Sequence, residues 1–204
     1  MYTFQDIVMR LIKGILPKNC ICLITKKSKI IETMKQEINN LIKHYNLQPL
    51  PVEGTLFTST YRSPGSLPSG KPYGTGMIGL YCNEPKSISC FHKLSVDEIW
   101  HFYSGDPLRL ILLYPDGSSK DVILGNDISQ NQTVQFVIPA GVWQAGHTLG
   151  EYSLFGCTLA PGFTDDIFTG GSKEELLKLY PDRKEDILIY GLDSETKMPE
   201  GFAT

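Results

Sequence analysis

The chain has 204 residues, 41% hydrophobic and 20% charged, a composition that buries a sizeable core without disulfide or metal staples. Nineteen Lys and Arg against 22 Asp and Glu leave a net charge of -3, so there is no basic excess for a phosphate backbone and nucleic acid is not expected as a partner. The five cysteines, Cys20, Cys22, Cys82, Cys90 and Cys157, read as reduced and mostly buried thiols; Cys20 and Cys22 lack the second pair of a zinc site.

From the N-terminus, Phe4, Ile7, Val8, Leu11, Ile12 and Ile15 recur at helical spacing and predict a short amphipathic helix over 3–15. Arg10, Lys13, Pro17 and Lys18 break the apolar run from Ile7 to Ile24. That run is no membrane span, which needs about 18 clean apolar residues. It also lacks the small-residue cleavage site of a secretory signal, so no membrane partner is expected and the expected location is cytoplasmic. Ile30, Ile31, Met34, Ile38, Leu41 and Ile42 predict a second helix over 29–44.

After Pro49 short apolar runs alternate with turn signals. Candidate strands cover 56–61, 77–82, 88–92, 98–103, 108–114, 120–124, 134–138, 142–145 and 152–159. Pro115-Asp116-Gly117 marks a hairpin turn. Regular short strands of this kind predict a sandwich or barrel. Residues 63–75, rich in Gly, Pro and Ser, form a loop long enough for a lid or a partner contact. Ser172 with Glu175 reads as a capping box before a helix over 173–179, and 193–204 reads as a frayed terminus.

Gly74-Thr75-Gly76-Met77-Ile78-Gly79 has the glycine spacing of a dinucleotide loop, but a Pro/Gly loop precedes it and a strand follows, which is the wrong context for that chemistry. The stretch from Phe91 to Asp106 is more informative. His92 and Glu98 lie six residues apart across a turn at 93–97, so adjacent antiparallel strands would bring them together. An imidazole beside a carboxylate suits metal binding or acid/base work. A structural His–Glu hydrogen bond at a sheet rim is the alternative, and spacing alone favours it.

This stretch resembles the first motif of the cupin superfamily, G-x5-H-x-H-x3,4-E-x6-G, with His92, Glu98 and Gly105 in register for its first His, its Glu and its last Gly. Pro139-Ala140-Gly141 matches the P-x-G of the second motif, and Gln144 stands at its His. Five further segments, at 52–63, 97–108, 124–127, 139–145 and 156–163, are similar to the cupin-5 family, RmlC-like cupins of largely unknown function. The resemblance covers about residues 34–190, so the expected organisation is an N-terminal extension (1–33), a cupin domain (34–190) and a C-terminal tail (191–204). Met34 sits where the family usually begins, so 1–33 is either an extension or the product of a misplaced start codon. The resemblance implies a mainly β fold, a double-stranded β-helix or jelly-roll barrel with flanking α-helices, a pocket in its mouth, and a homodimer built by sheet-to-sheet packing.

Departures from the motifs bear on the chemistry. Leu94 replaces the second His, Gln144 the last His, Lys86 the leading Gly, and Thr55 a Gly of the subfamily opening. Two of four metal ligands are missing, so no cofactor is favoured; a divalent transition metal, if held, would rest on His92, Glu98 and Gln144. His147 is expected to face the other way on its strand.

With Glu98 facing inward, alternation puts Trp100 and Phe102 on the same face, and His101 and Tyr103 outward. Gln144 would orient a ligand hydroxyl or carbonyl. Arg62 would hold a carboxylate or phosphate, unless it pairs with Glu53 or another acid; Glu53 would line the ligand site or cap a turn. The leading expectation is a metal-independent isomerase or epimerase acting on a sugar-like or nucleotide-sugar ligand. There His92 would be the base, Glu98 its orienting partner, and Tyr61 or Tyr81 the acid. A non-enzymatic binding module for a small molecule is the alternative, and a metal-dependent dioxygenase or lyase the third reading.

Overall fold

The computed structural model describes residues 18–203; the helix expected over 3–15 lies outside them. The second expected helix is part of a longer one, α1 (Lys18–Tyr45), which runs through Met34 without a break. Two compact units divide at Asn40, the second beginning with the last turn of α1 at Leu41.

The second unit holds twelve strands in two antiparallel six-stranded sheets. The first has the order β1 (Gln48–Pro49), β2 (Leu56–Arg62), β3 (Thr75–Cys82), β10 (Tyr152–Leu159), β5 (Glu98–Gly105), β8 (Gln135–Ile138). The second has the order β12 (Thr196–Lys197), β11 (Phe168–Gly170), β4 (Ser89–Leu94), β9 (Trp143–Thr148), β6 (Leu108–Leu113), β7 (Ser119–Leu124). Consecutive strands β4 and β5 fall in different sheets, so the chain crosses the sandwich at 95–97. This is the jelly-roll barrel expected from the sequence.

The core lies between the sheets. Leu108, Leu110 and Leu112 of β6 meet Tyr81, Trp100 and Phe155 of the first sheet. Strand alternation sends Ile111 and Leu113 to the other face. There, with Phe91 and Trp143, they are covered by α2 (Lys173–Leu179) and α3 (Lys184–Tyr190) through Leu176, Ile187 and Tyr190. The Ser172 hydroxyl accepts the Glu175 N–H as the first half of the predicted capping box. Arg109 fixes α3 by a forked pair of bonds to Asp186 at 3.0 and 3.2 Å.

The tail corrects the sequence reading. Residues 193–204 were expected to fray, but β12 pairs with β11, Met198 is buried, and the Phe202 and Ala203 N–H groups donate to the Asp165 carboxylate. Apolar Met198 and Phe202 pull the segment onto the sandwich. The Phe202 ring sits 5.7 Å from that of Phe57 and 6.4 Å from that of Phe163. The 63–75 loop is likewise tied down: Lys71 Nζ reaches Asp166 at 2.7 Å and the Thr164 hydroxyl at 3.0 Å.

Candidate functional site

A cavity of about 210 Å³ opens at one end of the sandwich, with walls from both sheets, the turn before β2, and the tail. Register explains its floor. Arg62, Thr75, Leu159 and Glu98 form one row across four strands of the first sheet, and Ser59, Met77, Cys157 and Trp100 the next. All eight side chains line the cavity. In the third row Phe155 closes the bottom; a side chain at Gly79 beside it would collide with the Phe155 ring.

His92 comes from β4, opposite this floor. It is 4% exposed and its ring stacks on Phe168 at 5.2 Å. Its Nδ1 lies 2.9 Å from Glu53 Oε2 and 2.9 Å from the Cys90 carbonyl. Both neighbours only accept, so Nδ1 carries a hydrogen shared between them. No buried side-chain nitrogen or oxygen among the described residues lacks a partner. Nε2 makes no bond to the described residues, so it faces the cavity that His92 lines.

The Glu53 carboxylate is placed by a tight turn. Val52 and Gly54 on either side have φ of 71° and 88°. The Glu53 N–H donates to the Pro51 carbonyl, and the Glu53 carbonyl accepts the Cys90 N–H at 3.0 Å. A β-branched residue in the left-handed region is costly, and it persists where surrounding bonds hold it. The same bonds tie Glu53 to the strand that carries His92. Burial lowers the His92 pKa, but the charge and hydrogen bond of Glu53, with Glu98 and the Cys90 carbonyl, raise it to about 9. The ring is therefore an imidazolium at neutral pH, with Nε2–H directed at the cavity.

Glu98, 6% exposed, sits across from it. Its Oε2 accepts the Gln144 amide at 2.7 Å and the Trp100 indole N–H at 3.0 Å. That indole also reaches Gln144 Oε1 at 3.1 Å. Both N–H groups fall on one carboxylate oxygen. Burial raises the Glu98 pKa, while the His92 charge and these two donors pull it down. The Cys157 thiol beside it is pushed well above its ordinary range, chiefly by burial, and is inert as a nucleophile.

Several expectations need correction. His92 and Glu98 face one cavity but are not partners, because β4 and β5 lie in different sheets; Glu53 is the partner that orients His92. Arg62 does not pair with Glu53. Its Nη1 donates to the Phe163 carbonyl at 3.0 Å, and its other nitrogens make no bond to the described residues. Tyr61 does not reach the cavity and is 55% exposed. The reason is a bulge in β2 between Ser59 and Tyr61, which shifts the alternation by one, turning Tyr61 out and Arg62 in. Tyr81 is sealed behind Phe155, ring centroids 4.5 Å apart, with its hydroxyl on Ser89. Phe102 is core and outside the cavity wall, and Gln144 stands behind Glu98 and Trp100. His147 faces the helices, as expected, bonded to the Tyr190 hydroxyl at 2.9 Å. The sequence reading missed Met198 and Phe202, whose apolar character near the C-terminus was the available signal.

The family model described as Cupin superfamily (DUF985) matches residues 39–169. The chain belongs to the cupin superfamily. An uncharacterized protein of Saccharomyces cerevisiae is 30% identical over 164 residues, covering 70% of this chain and 78% of its own. A solved protein of Shewanella oneidensis is 30% identical with a TM-score of 0.71, covering 76% of this chain and 98% of its own. A hypothetical protein from Leishmania major is 26% identical with a TM-score of 0.67, covering 74% and 96%.

The metal centre of the general cupin motif does not fit the residues of this cupin. Leu94, at the second His position, packs with Leu159, Ile167 and Phe168. Gln144, at the last, has its amide committed to Glu98 and Trp100. Among the described residues no three His, Cys, Asp or Glu side chains are grouped to hold a metal ion.

Proposed function

We propose that this cupin is an isomerase-type enzyme that moves a proton on a small carbonyl compound. The observation that carries the reading is the opposed pair: His92, held cationic by Glu53, and Glu98, held by Gln144 and Trp100, nearly sealed on facing walls of one cavity. Titratable groups kept in different protonation states by their surroundings assign acid and base roles. The roles are the reverse of the sequence expectation. Glu98, in its carboxylate form, takes the proton from the carbon beside the carbonyl. His92 Nε2–H donates to the carbonyl oxygen as negative charge develops there, giving the enol. Return of the carbon-bound proton from Glu98 to the former carbonyl carbon of a hydroxyketone, with His92 taking the proton of the neighbouring hydroxyl, completes isomerisation; return to the original carbon, with His92 recovering its proton from the enol, regenerates the substrate after exchange with solvent.

Glu53, on the cavity wall, is a positioning residue: it fixes the ring and its charge. A whole nucleotide sugar is too large for about 210 Å³, which lies below the ~300–1,000 Å³ of ordinary ligand pockets. The test is deuterium exchange from D2O into a panel of small enolisable carbonyl compounds, followed by NMR. Wild type is expected to exchange at least one of them. Glu98→Gln is expected to lose exchange while still binding. Binding without exchange by wild type would leave a non-enzymatic receptor and overturn the proposal.

A further inference from the structure

The cavity has one more charge, and its place beside the apolar walls defines a ligand. Arg62 is the cation of the lining outside the His92–Glu53 pair. It lies in the same row as Glu98, three strand spacings away, roughly 14 Å between backbones. Among the described residues no carboxylate pairs with it; the Phe163 carbonyl takes one N–H and steadies the side chain. A guanidinium with free N–H groups at a pocket rim suits a carboxylate or another oxyanion.

Between Arg62 and the acid–base pair the surface is hydrocarbon and aromatic. Trp100, Phe155, Phe168, Phe163, Met77 and Phe202 all face the cavity. Other polar side chains on the wall are few. The Thr75 hydroxyl accepts the Phe163 N–H at 2.9 Å and keeps its own O–H to donate; Ser59 is the other hydroxyl of the wall. A sugar ring would bury most of its hydroxyls against carbon, without partners. An aromatic ring would find stacking surfaces instead.

We propose that the cavity takes a small aromatic carbonyl compound with one anionic group, the anion on Arg62, the ring among the aromatic walls and the carbonyl at His92. The carbonyl end of this assignment rests on the proton-transfer reading; the anion and ring ends do not. It replaces the sugar-like ligand expected from the sequence with an aromatic oxoacid.

4-Acetylbenzoate, whose ring lies between its carboxylate and its enolisable ketone, the neutral ketone acetophenone and fructose 6-phosphate are the probes, titrated calorimetrically against wild type, Arg62→Gln and Arg62→Lys. Melting curves show that each variant is folded. 4-Acetylbenzoate is expected to bind wild type more tightly than fructose 6-phosphate. Arg62→Gln is expected to weaken 4-acetylbenzoate at least tenfold, to erase its advantage over the ketone, and to be partly rescued by Arg62→Lys. Unchanged 4-acetylbenzoate affinity in folded Arg62→Gln, or tighter binding of fructose 6-phosphate, overturns the assignment. Deuterium exchange separates the two proposals. Arg62-dependent binding of 4-acetylbenzoate without exchange of any probe keeps the ligand class and removes the isomerase reading. Glu98-dependent exchange of fructose 6-phosphate without 4-acetylbenzoate binding keeps the isomerase reading and removes the ligand class.

Discussion

Glu53→Gln is the most informative substitution, because it removes one charge and leaves the shape of the turn. In the wild type Glu53 is the main influence that overcomes burial and raises His92 to about 9. Without it burial, the largest cause acting on the ring, is opposed only by Glu98 and the Cys90 carbonyl. The His92 pKa should then fall below ~7, a loss of about two units or more, equivalent to ~3 kcal/mol of differential interaction. At pH 7.5 the charged fraction drops from roughly 97% to under about 25%. The assay is an NMR titration of the His92 ring protons in wild type and Glu53→Gln. Glu98→Gln serves as a comparison that should lower the value less, since Glu98 acts on the ring through charge alone. A His92 that still titrates near 9 in folded Glu53→Gln would refute the argument that Glu53 makes it an acid.

Stability should fall with rising pH. The His92 pKa is raised from 6.5 to about 9, so its contribution is complete below pH 6.5 and is lost as pH rises through about 9. That amounts to ~3 kcal/mol. Thermal midpoints should therefore drop by roughly 5–10 °C between pH 6.5 and 9.5, and a His92→Gln protein should lose most of that slope. Glu98 has the same sign, since its folded pKa is also raised; Glu98→Gln should thus remove part of the loss of stability with rising pH, measured by denaturant unfolding. Gln144→Leu removes a donor from the buried Glu98 carboxylate and an acceptor from the Trp100 indole, and should cost about 1–3 kcal/mol in the same experiment. Phe155→Ala empties the cavity floor above Tyr81 and should cost about 3–5 kcal/mol; a loss below 1 kcal/mol would show that the floor is not packed as described.

Much of the fold was legible. Glu98, Trp100 and Phe102 alternate with His101 and Tyr103, and β5 buries the first set. Phe155, Cys157 and Leu159 have the same period in β10. Such spacing follows from strand geometry and needs no partner to be read. The site was legible as residue types more than as contacts. His92, Glu98, Arg62 and Trp100 all line the cavity, yet the assumed His92–Glu98 bond depended on which strands pair, and the chain crosses between sheets after β4. Tyr61 was misread for a smaller reason: one extra residue at the β2 bulge inverts every later side chain, and bulges leave no mark in hydrophobic periodicity. Glu53 was noticed as an acid near a turn. Its role appears only when Val52 and Gly54 at positive φ and the bond from Cys90 bring it against His92.

The most direct test of the opposed acid–base pair is the pH profile of the exchange reaction in wild type. Exchange should rise as Glu98 ionises, above the ordinary carboxylate value of 4.5 because burial raises it, and should fall as His92 loses its proton at about 9. The two limbs should leave a plateau or maximum near neutral pH. Exchange that keeps rising through pH 10 would contradict the account, because it would mean that a neutral His92 acts as the base.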